Sequence, residues 1–191
     1  MPSTFRIPKA AMSGPYAGIL KTYARRTWGA VPDTAYVLWH HQKVMRAVLG
    51  FERRVAKWDA LDKHLASYAQ MASAAVIGCS WCMDFGYFLA HDEGLDEAKV
   101  RHVPRWRESD VFTPLERDVL EYAEAMSATP CAVDDELSSR LQEALGVKAV
   151  VELTQLIALE NMRSRFNSAA GLQSQGYSDV CELPLALPSH A

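Results

Sequence analysis

The sequence has no excess of basic residues and no long apolar run. It contains 20 Lys and Arg against 23 Asp and Glu, which gives a formal net charge of -3. Nucleic-acid-binding domains usually carry a basic patch, and this composition gives no sign of one. The apolar runs, such as residues 72–77, are far shorter than the roughly 20 residues that a membrane-spanning helix needs. We therefore expect neither nucleic acid nor a membrane among its partners.

A secretion signal and a disulfide framework are also missing. Residues 1–19 mix Pro, Lys and Arg with short apolar pieces and lack the continuous apolar region of a signal peptide. We therefore expect a cytoplasmic protein. Four cysteines in 191 residues are too few for a disulfide scaffold. In a reducing compartment, two cysteines close in sequence more often serve redox chemistry or metal binding.

What the sequence does contain is a series of helical patterns. Its 49% hydrophobic and 23% charged residues are typical of one globular domain with a sizeable core. Apolar residues recur at helical spacing, and almost nothing resembles a strand. The predicted helices cover residues 16–28, 35–51, 59–77, 80–90, 95–103, 114–127, 134–145 and 147–172. We predict an all-α fold in which residues 1–191 form a single domain.

The two ends of the chain are less regular, and some helices are unusually apolar. An N-terminal arm of residues 1–15 precedes the first helix, and a tail of residues 173–191 wraps the surface or a partner. The helices at residues 35–51 and 147–172 have more apolar surface than a domain of this size usually buries alone. We therefore expect a homo-oligomer.

The stretch GCSWCMDFG, residues 78–86, carries the main chemical signal. Gly78 is placed to end one helix, so that Cys79 lies near the N-cap of the next helix and Cys82 in its first turn. The free N–H groups at a helix start lower the pKa of a thiol, and the spacing permits a disulfide. The same two cysteines are also compatible with a purely structural role, because free cysteine often packs as a small buried hydrophobic residue.

A metal site is a weaker interpretation of the same pair. Structural zinc usually takes four ligands, and the chain has no second cysteine pair. Cys131, Cys181, His91 and His102 are scattered singly, so a zinc site would depend on folding that the sequence does not reveal. We predict neither a metal nor a cofactor. Cys131 and Cys181 are expected to be bystanders, although either is able to resolve a mixed disulfide.

The stretch SYAQMASAAVIGCSWCMDFG, residues 67–86, resembles the core motif of the carboxymuconolactone decarboxylase superfamily, in particular its alkylhydroperoxidase AhpD-like branch. In that branch a helix ending in Gly runs into Cys-x-x-Cys, as residues 78–82 do here. The resemblance extends over about residues 35–126, and NMRSRFNSAAG, residues 161–171, is similar to the closing helix of related proteins. It implies an AhpD-like helical bundle that is oligomeric, with the C-terminal helix and tail at residues 147–191.

The resemblance also implies an activity and partners. Active members of the branch reduce peroxides with the cysteine pair and take electrons from a dithiol such as a lipoyl group or a thioredoxin-like protein. By this resemblance Cys82 is the residue that reacts with peroxide, and Cys79 resolves the product. The decarboxylase members that name the superfamily lack the cysteine pair.

The sequence departs from the branch at two positions. Branch members have a Glu twelve residues before the first Cys and a His four residues after the second, which relay protons to the thiols; here these positions are Ser67 and Gly86. His64, one helical turn before Ser67, is a candidate substitute for the missing glutamate, or else a solvated surface residue. Asp84 points away from the sulfur of Cys82 and is expected to be structural or to relay protons.

Other residues near the motif have two interpretations each. Trp81 and Phe85 are core or subunit-contact aromatics, or else they hold a substrate. Near the end of the last helix, Arg163, Arg165 and Asn167 are placed to bind an anionic group or to form a salt-bridged face.

Two classes of function follow from these residues. The first is a thiol-dependent, alkylhydroperoxidase-type oxidoreductase, that is, a peroxidase with Cys79, Cys82, His64, Ser67 and Asp84 as its candidate site. The second is a catalytically altered member that binds a ligand or senses redox state, or a carboxymuconolactone decarboxylase-like enzyme. The missing Glu and His favour the second class, and the preserved cysteine pair favours the first.

Overall fold

The described part of the chain is folded mainly into helices. This computed structural model describes residues 3–186. Within that range it contains nine α-helices, two short 3-10 helices and no β-strand, which confirms the all-α prediction. The α-helices are α1 (Pro15–Trp28), α2 (Asp33–Leu38), α3 (Gln42–Val55), α4 (Lys63–Ile77), α5 (Ser80–Asp92), α6 (Glu97–Val100), α7 (Pro114–Ser127), α8 (Asp135–Leu145) and α9 (Val147–Ala170). The 3-10 helices are Val103–Glu108 and Tyr177–Val180.

Local capping interactions set several helix boundaries. The carboxylate of Asp62 accepts two backbone N–H groups in the first turn of α4, so this helix begins later than the predicted residue 59. α4 ends at Gly78, whose φ of 77° lies in the left-handed region that favours glycine. α7 begins with a capping box, in which the side chains of Thr113 and Glu116 each accept the backbone N–H of the other residue.

Two predicted helices are wrong in extent. Residues 35–51 do not form one helix, because the chain breaks at residues 39–41 between α2 and α3. The side chain of His41 accepts the N–H of Val44 at 3.3 Å and thereby caps α3. In the second case, the predicted helix at residues 95–103 is only the four-residue α6, and a separate 3-10 helix follows with Pro104 in its first turn. Proline fits there because the first helical residues need no N–H donor.

The centre of the structure is α4. It packs against α5, α7 and α9. Its buried residues include Tyr68, Ala69, Met71 and Ala72, and they form one apolar core with Leu120 of α7 and other residues of these helices. A helix that is apolar on several faces needs partners on each of them, which explains why α4 is surrounded.

A second, smaller apolar cluster lies beside the cysteine motif. Its buried members are Val37, Ala74, Cys79, Trp81, Cys82, Ala170, Leu172 and Tyr177. The elements that meet here are far apart in the sequence: α2, the α4–α5 junction, the end of α9 and residues after it. The cysteine pair therefore lies where both ends of the chain return to the helical core.

The described part of the N-terminal arm and the residues after α9 cover this region. In the N-terminal arm, Thr4 donates its backbone N–H to the carbonyl oxygen of Gly171 at 2.8 Å. After α9, residues 173–186, called the C-terminal segment below, run along α5 and donate several hydrogen bonds to its Asp84. Residues 173–186 thus run over the helical core, and residues 187–191 of the predicted tail lie outside the described range.

No helix within residues 3–186 is both long enough and apolar enough to cross a membrane.

Candidate functional site

The cysteine pair lies at the junction of α4 and α5. Cys79 is the N-cap residue of α5, and its sulfur accepts the backbone N–H of Cys82 at 3.2 Å. This confirms the helix start predicted from Gly78. The two cysteines form a disulfide, with their Cα atoms 5.3 Å apart. This N–H group and the positive end of the α5 dipole favour a thiolate at the start of the helix in the reduced protein.

The two sulfur residues differ in exposure and in their partners. Cys79 is 2% exposed and Cys82 is 8% exposed, so Cys82 is the one nearer to solvent. The side-chain amide of Asn167 donates a hydrogen bond to the Cys82 sulfur at 3.3 Å. The amide oxygen of Asn167 in turn accepts the hydroxyl of Thr34 at 3.0 Å, which fixes the orientation of the amide. Asn167 is thus a buried, oriented donor that favours the thiolate form of Cys82.

The positions of the expected proton relay are filled differently. Gly86 lies against α4, where a Cβ atom added to it would come within 3.3 Å of the Met71 side chain. Ser67 is half-buried one turn before Met71 on the same helix. The space into which a histidine at position 86 would extend is therefore partly occupied by Met71, a side chain that transfers no protons.

His64 lies away from the cysteines. It is in the first turn of α4, and its Nδ1 is 3.4 Å from the carboxylate of Asp62. Since α4 has 15 residues, it is about 22 Å long, and Cys79 follows its other end. His64 is partly exposed and belongs to the local capping arrangement of α4, which fits the interpretation of His64 as a solvated surface residue.

The carboxylate of Asp84 binds the C-terminal segment. Its carboxylate accepts the backbone N–H groups of Gln175, Gly176, Tyr177 and Ser178, at 2.8 to 3.2 Å, and the Ser178 hydroxyl at 2.7 Å. Burial alone would raise the pKa of Asp84, but these hydrogen bonds outweigh it and hold the pKa below its ordinary value. Asp84 therefore fastens the C-terminal segment to α5.

Sequence reasoning named Asn167 but missed the buried polar row on α9 to which it belongs. Glu160, Ser164 and Asn167 are spaced four and three residues apart, which places them on one face of the helix, and all three are buried. Ser164 donates its hydroxyl to Glu160 at 2.8 Å. Burial, opposed by Arg163 and Ser164, raises the pKa of Glu160. This row could have been recognised in the sequence, because polar residues at i, i+4 and i+7 within an apolar helix indicate a buried hydrogen-bonded network or a binding site.

The basic residues near the end of α9 are engaged within the protein. Arg163 pairs with Glu52 of α3 and also with Glu160 at 3.3 Å. It donates a further hydrogen bond to Gln70 at 2.8 Å. Arg163 therefore forms part of a salt-bridged face, whereas Asn167 faces the sulfur of Cys82.

Aromatic side chains form a wall beside the disulfide. Trp81 stacks on Phe85 with ring centroids 5.0 Å apart, and Tyr177 of the C-terminal segment packs edge-on against Phe85 at 5.0 Å. The indole N–H of Trp81 donates to Gln175 at 2.8 Å. These contacts make Trp81 and Phe85 part of the packing that holds the C-terminal segment in place.

The other two cysteines do not join the pair. Cys131 is exposed, and Cys181 is half-buried in the C-terminal segment near the backbone oxygen of Tyr87. Burial, with the nearby carboxylates of Glu97 and Asp84, raises the pKa of the Cys181 thiol to about 11. Cys181 is therefore a poor nucleophile at neutral pH, which disfavours it as a resolving cysteine.

Comparisons with other sequences agree with the resemblance found in the motif. The sequence model of the carboxymuconolactone decarboxylase family matches residues 42–125. The chain is 36% identical over 159 residues to the uncharacterized protein YnjA of Escherichia coli (strain K12), and this match covers 83% of the chain and 81% of YnjA.

Solved structures show the same fold. A structure of the debrominase Bmp8 in complex with 2,3,4-tribromopyrrole has a TM-score of 0.80 and 19% identity, covering 93% of this chain and 96% of that one. The alkylhydroperoxidase AhpD core of a peroxidase-related protein from Ralstonia eutropha JMP134 has a TM-score of 0.79 and 15% identity, covering 96% and 98%. The predicted AhpD-like helical fold is confirmed.

Proposed function

The chain belongs to the carboxymuconolactone decarboxylase family, and from that premise we propose that it is a thiol-dependent oxidoreductase that reduces peroxides through Cys79 and Cys82. The observation that carries the proposal is the environment of Cys82. Its sulfur lies in the first turn of α5, receives a hydrogen bond from Asn167, and has Cys79 within disulfide distance. These are the conditions that a reactive thiolate and a resolving thiol require.

The proposed cycle has three steps. The Cys82 thiolate attacks one oxygen of a peroxide ROOH, the O–O bond breaks, and the alkoxide takes a proton from solvent to leave as the alcohol ROH. The sulfenic acid left on Cys82 then condenses with the Cys79 thiol, which forms the disulfide and releases water. A reduced dithiol, lipoyl-type or thioredoxin-like, returns two electrons and two protons by thiol–disulfide exchange and leaves as a disulfide.

The chemical role of Asn167 differs from that of the Glu and His that relay protons in the AhpD-like branch. An amide N–H stabilises the thiolate and a developing negative charge, but it does not take up a proton at neutral pH. The proton for the departing alkoxide is therefore assigned to solvent, which is consistent with the greater exposure of Cys82. We expect peroxide reduction that is slower than that of relay-bearing family members.

A turnover assay tests the proposal. The reduced protein is mixed with an organic hydroperoxide and dihydrolipoamide, and loss of peroxide is followed. We expect turnover in the wild type and in the Cys131→Ser control. Cys82→Ser should abolish turnover, and Cys79→Ser should stop after one sulfenic acid, which dimedone labels on Cys82. Unchanged turnover in Cys82→Ser would overturn the assignment of the attacking residue.

The second candidate function is redox sensing or ligand binding without turnover. It is favoured by Ser67 and Gly86, since Met71 partly fills the place where a relay histidine would lie. In that case peroxide oxidises the pair to the disulfide once, and none of the dithiol donors restores it at a useful rate. A wild type that forms the disulfide stoichiometrically but does not turn over would support this second candidate against the first.

A further inference from the structure

Three potential metal ligands meet at the far end of α5. His91 lies in the last turn of α5, Glu97 begins α6, and Cys181 follows the 3-10 helix of the C-terminal segment. One ring nitrogen, one carboxylate oxygen and the sulfur of these residues all lie within 4.8 Å of one another. Sequence reasoning named His91 and Cys181 only as scattered single residues and did not name Glu97, because the three members are separated by up to 90 positions.

Glu97 is held firmly at the centre of this group. Its Oε1 is hydrogen-bonded to Nδ1 of His91. Its Oε2 accepts the backbone N–H groups of Glu182 and Leu183 at 3.1 and 3.3 Å. Because Cys181 directly precedes these two residues, the contacts that fix the carboxylate also hold the thiol beside it. The group is thus assembled in advance and does not depend on a ligand to bring it together.

Thiolate, imidazole and carboxylate are the three side-chain ligands that zinc takes in proteins. We propose that His91, Glu97 and Cys181 bind one zinc ion, which fastens the C-terminal segment to the ends of α5 and α6. At zinc bond lengths of about 2.0–2.3 Å, tetrahedral ligands lie about 3.3–3.8 Å apart. The separations of up to 4.8 Å therefore need to shorten by about 1 Å, and the hydrogen bond between His91 and Glu97 opens to ligand spacing; side-chain rotation can supply both changes.

The surroundings suit zinc better than a hard cation. Calcium and magnesium take oxygen ligands almost exclusively, and this group supplies one carboxylate beside a sulfur and a nitrogen. The His91 side chain is 35% exposed and that of Glu97 is 17% exposed, so solvent reaches the group and a water molecule is available as the fourth ligand. Binding releases the thiol proton to solvent, and no change in oxidation state is involved.

The experiment must separate this site from the cysteine pair, because reduced Cys79 and Cys82 are themselves zinc ligands. The full-length protein is therefore used with these two cysteines oxidised to the disulfide. Zinc is titrated against a chromophoric chelator, and cobalt(II) is used as a spectroscopic probe. We expect one equivalent of metal and the thiolate-to-cobalt charge-transfer band that only a sulfur ligand produces.

Single variants identify the ligands. Cys181→Ser should abolish the charge-transfer band. The variants Cys181→Ser, His91→Gln and Glu97→Gln should each weaken zinc binding roughly tenfold or more, because even the loss of a group that contacts only a ligand has an effect of this size. Cys131→Ser and His102→Gln are matched controls that should bind as the wild type does. The absence of a charge-transfer band in the wild type, or binding that these three variants leave unchanged, would overturn the site.

A second measurement addresses the fastening of the C-terminal segment. Zinc should slow amide hydrogen exchange of residues 177–186 in the oxidised wild type and leave it unchanged in Cys181→Ser. If zinc binds with the expected ligands but exchange in this segment is unaffected, the fastening role is wrong. Neither measurement depends on peroxide reduction, so the zinc site and the proposed function are tested independently.

Discussion

The side-chain amide of Asn167 donates a hydrogen bond to the sulfur of Cys82, 85 positions away in the sequence. This places a buried, uncharged donor next to the residue to which we assign the attack on peroxide. A donor to a thiolate lowers the pKa of the thiol, because it stabilises the charged form only. The pKa and reactivity of Cys82 should therefore depend on a residue of α9.

Asn167→Ala should raise the pKa of the Cys82 thiol by about 1, because it removes a hydrogen bond to a charged group that is worth about 1.5 kcal/mol. The measurement is the rate of alkylation against pH in the reduced protein, with the labelled cysteine identified by mass mapping. Asn167→Asp should raise the pKa further, because a carboxylate next to a thiolate destabilises it.

Asn161 provides the matched control, since it is another amide of α9 whose side chain bonds Ser127 and the Ile157 carbonyl oxygen. Asn161→Ala should leave the alkylation profile of Cys82 unchanged. If both substitutions shift the profile equally, the effect comes from disturbance of α9, and the direct hydrogen bond is not its cause.

Asp84→Asn should destabilise the protein by about 2–3 kcal/mol, because the backbone donors of the C-terminal segment lose a charged acceptor. The pKa of Asp84 is lowered in the folded state. Its stabilising effect is therefore present above its ordinary pKa of about 3.9 and is lost as the pH falls. Urea unfolding should show a difference between wild type and variant that narrows below about pH 4.

Asp179→Asn is the control for this experiment, because Asp179 is an exposed carboxylate of the same segment. It should change the free energy of unfolding by less than about 0.5 kcal/mol. A wild-type-like stability of Asp84→Asn at neutral pH would mean that the segment is held chiefly by its aromatic contacts.

Gly86→His alone should destabilise the protein by about 1–3 kcal/mol, because the new side chain meets Met71 in a packed core. Adding Met71→Ala and Ser67→Glu makes room and supplies the carboxylate that related proteins have. The triple variant should reduce peroxide about tenfold faster or more than the wild type, as expected for added acid–base catalysis.

The double variant Met71→Ala and Ser67→Glu, which lacks the histidine, is the control for the gain in rate. Thermal unfolding of each variant shows whether it is folded before rates are compared. A folded triple variant no faster than this control would show that proton transfer does not limit the reaction.

Glu160→Gln should change how stability depends on pH. The pKa of Glu160 is raised in the folded state, chiefly by burial. Its protonated form thus contributes stability that is present below its ordinary pKa of about 4.3 and is lost as the pH rises through the raised value. The glutamine variant lacks this loss, so its stability relative to wild type should increase as the pH rises above the ordinary pKa of a glutamate, about 4.3.

Urea unfolding at several pH values provides the measurement. Glu143→Gln, at an exposed position of α8, should follow the wild-type profile. A relative stability of Glu160→Gln that falls as the pH rises would mean that the ion pair with Arg163 dominates over burial.

Val147 and Val151 are each 64% exposed and lie one turn apart on α9, which supports the proposed homo-oligomer. Replacing both with Lys should shift the protein to a smaller species in sedimentation velocity while its helical content is retained. Val180→Lys, at a singly exposed valine of the C-terminal segment, is the control. A monomeric wild type would contradict the proposed oligomer.

Much of the helical framework could be predicted because its determinants are local. The capping box of Thr113 and Glu116, the left-handed Gly78 and the N-cap position of Cys79 each involve residues within a few positions of one another. The errors in helix extent also depend on local contacts, but on contacts that the apolar pattern does not reveal. The break before α3 depends on a side-chain cap by His41, which helical periodicity does not encode.

The sequence by itself determined the all-α class, the helix start at the cysteines and the presence of Ser67 and Gly86 where the resemblance leads us to expect Glu and His, because these depend on residue identity and short-range spacing. Only the tertiary structure decided which side chains surround that motif. It brings Asn167 to Cys82, the C-terminal segment to Asp84, and Cys181 to His91 and Glu97. Such contacts arise from the packing of helices that are distant in the chain, and no local pattern specifies which faces will meet.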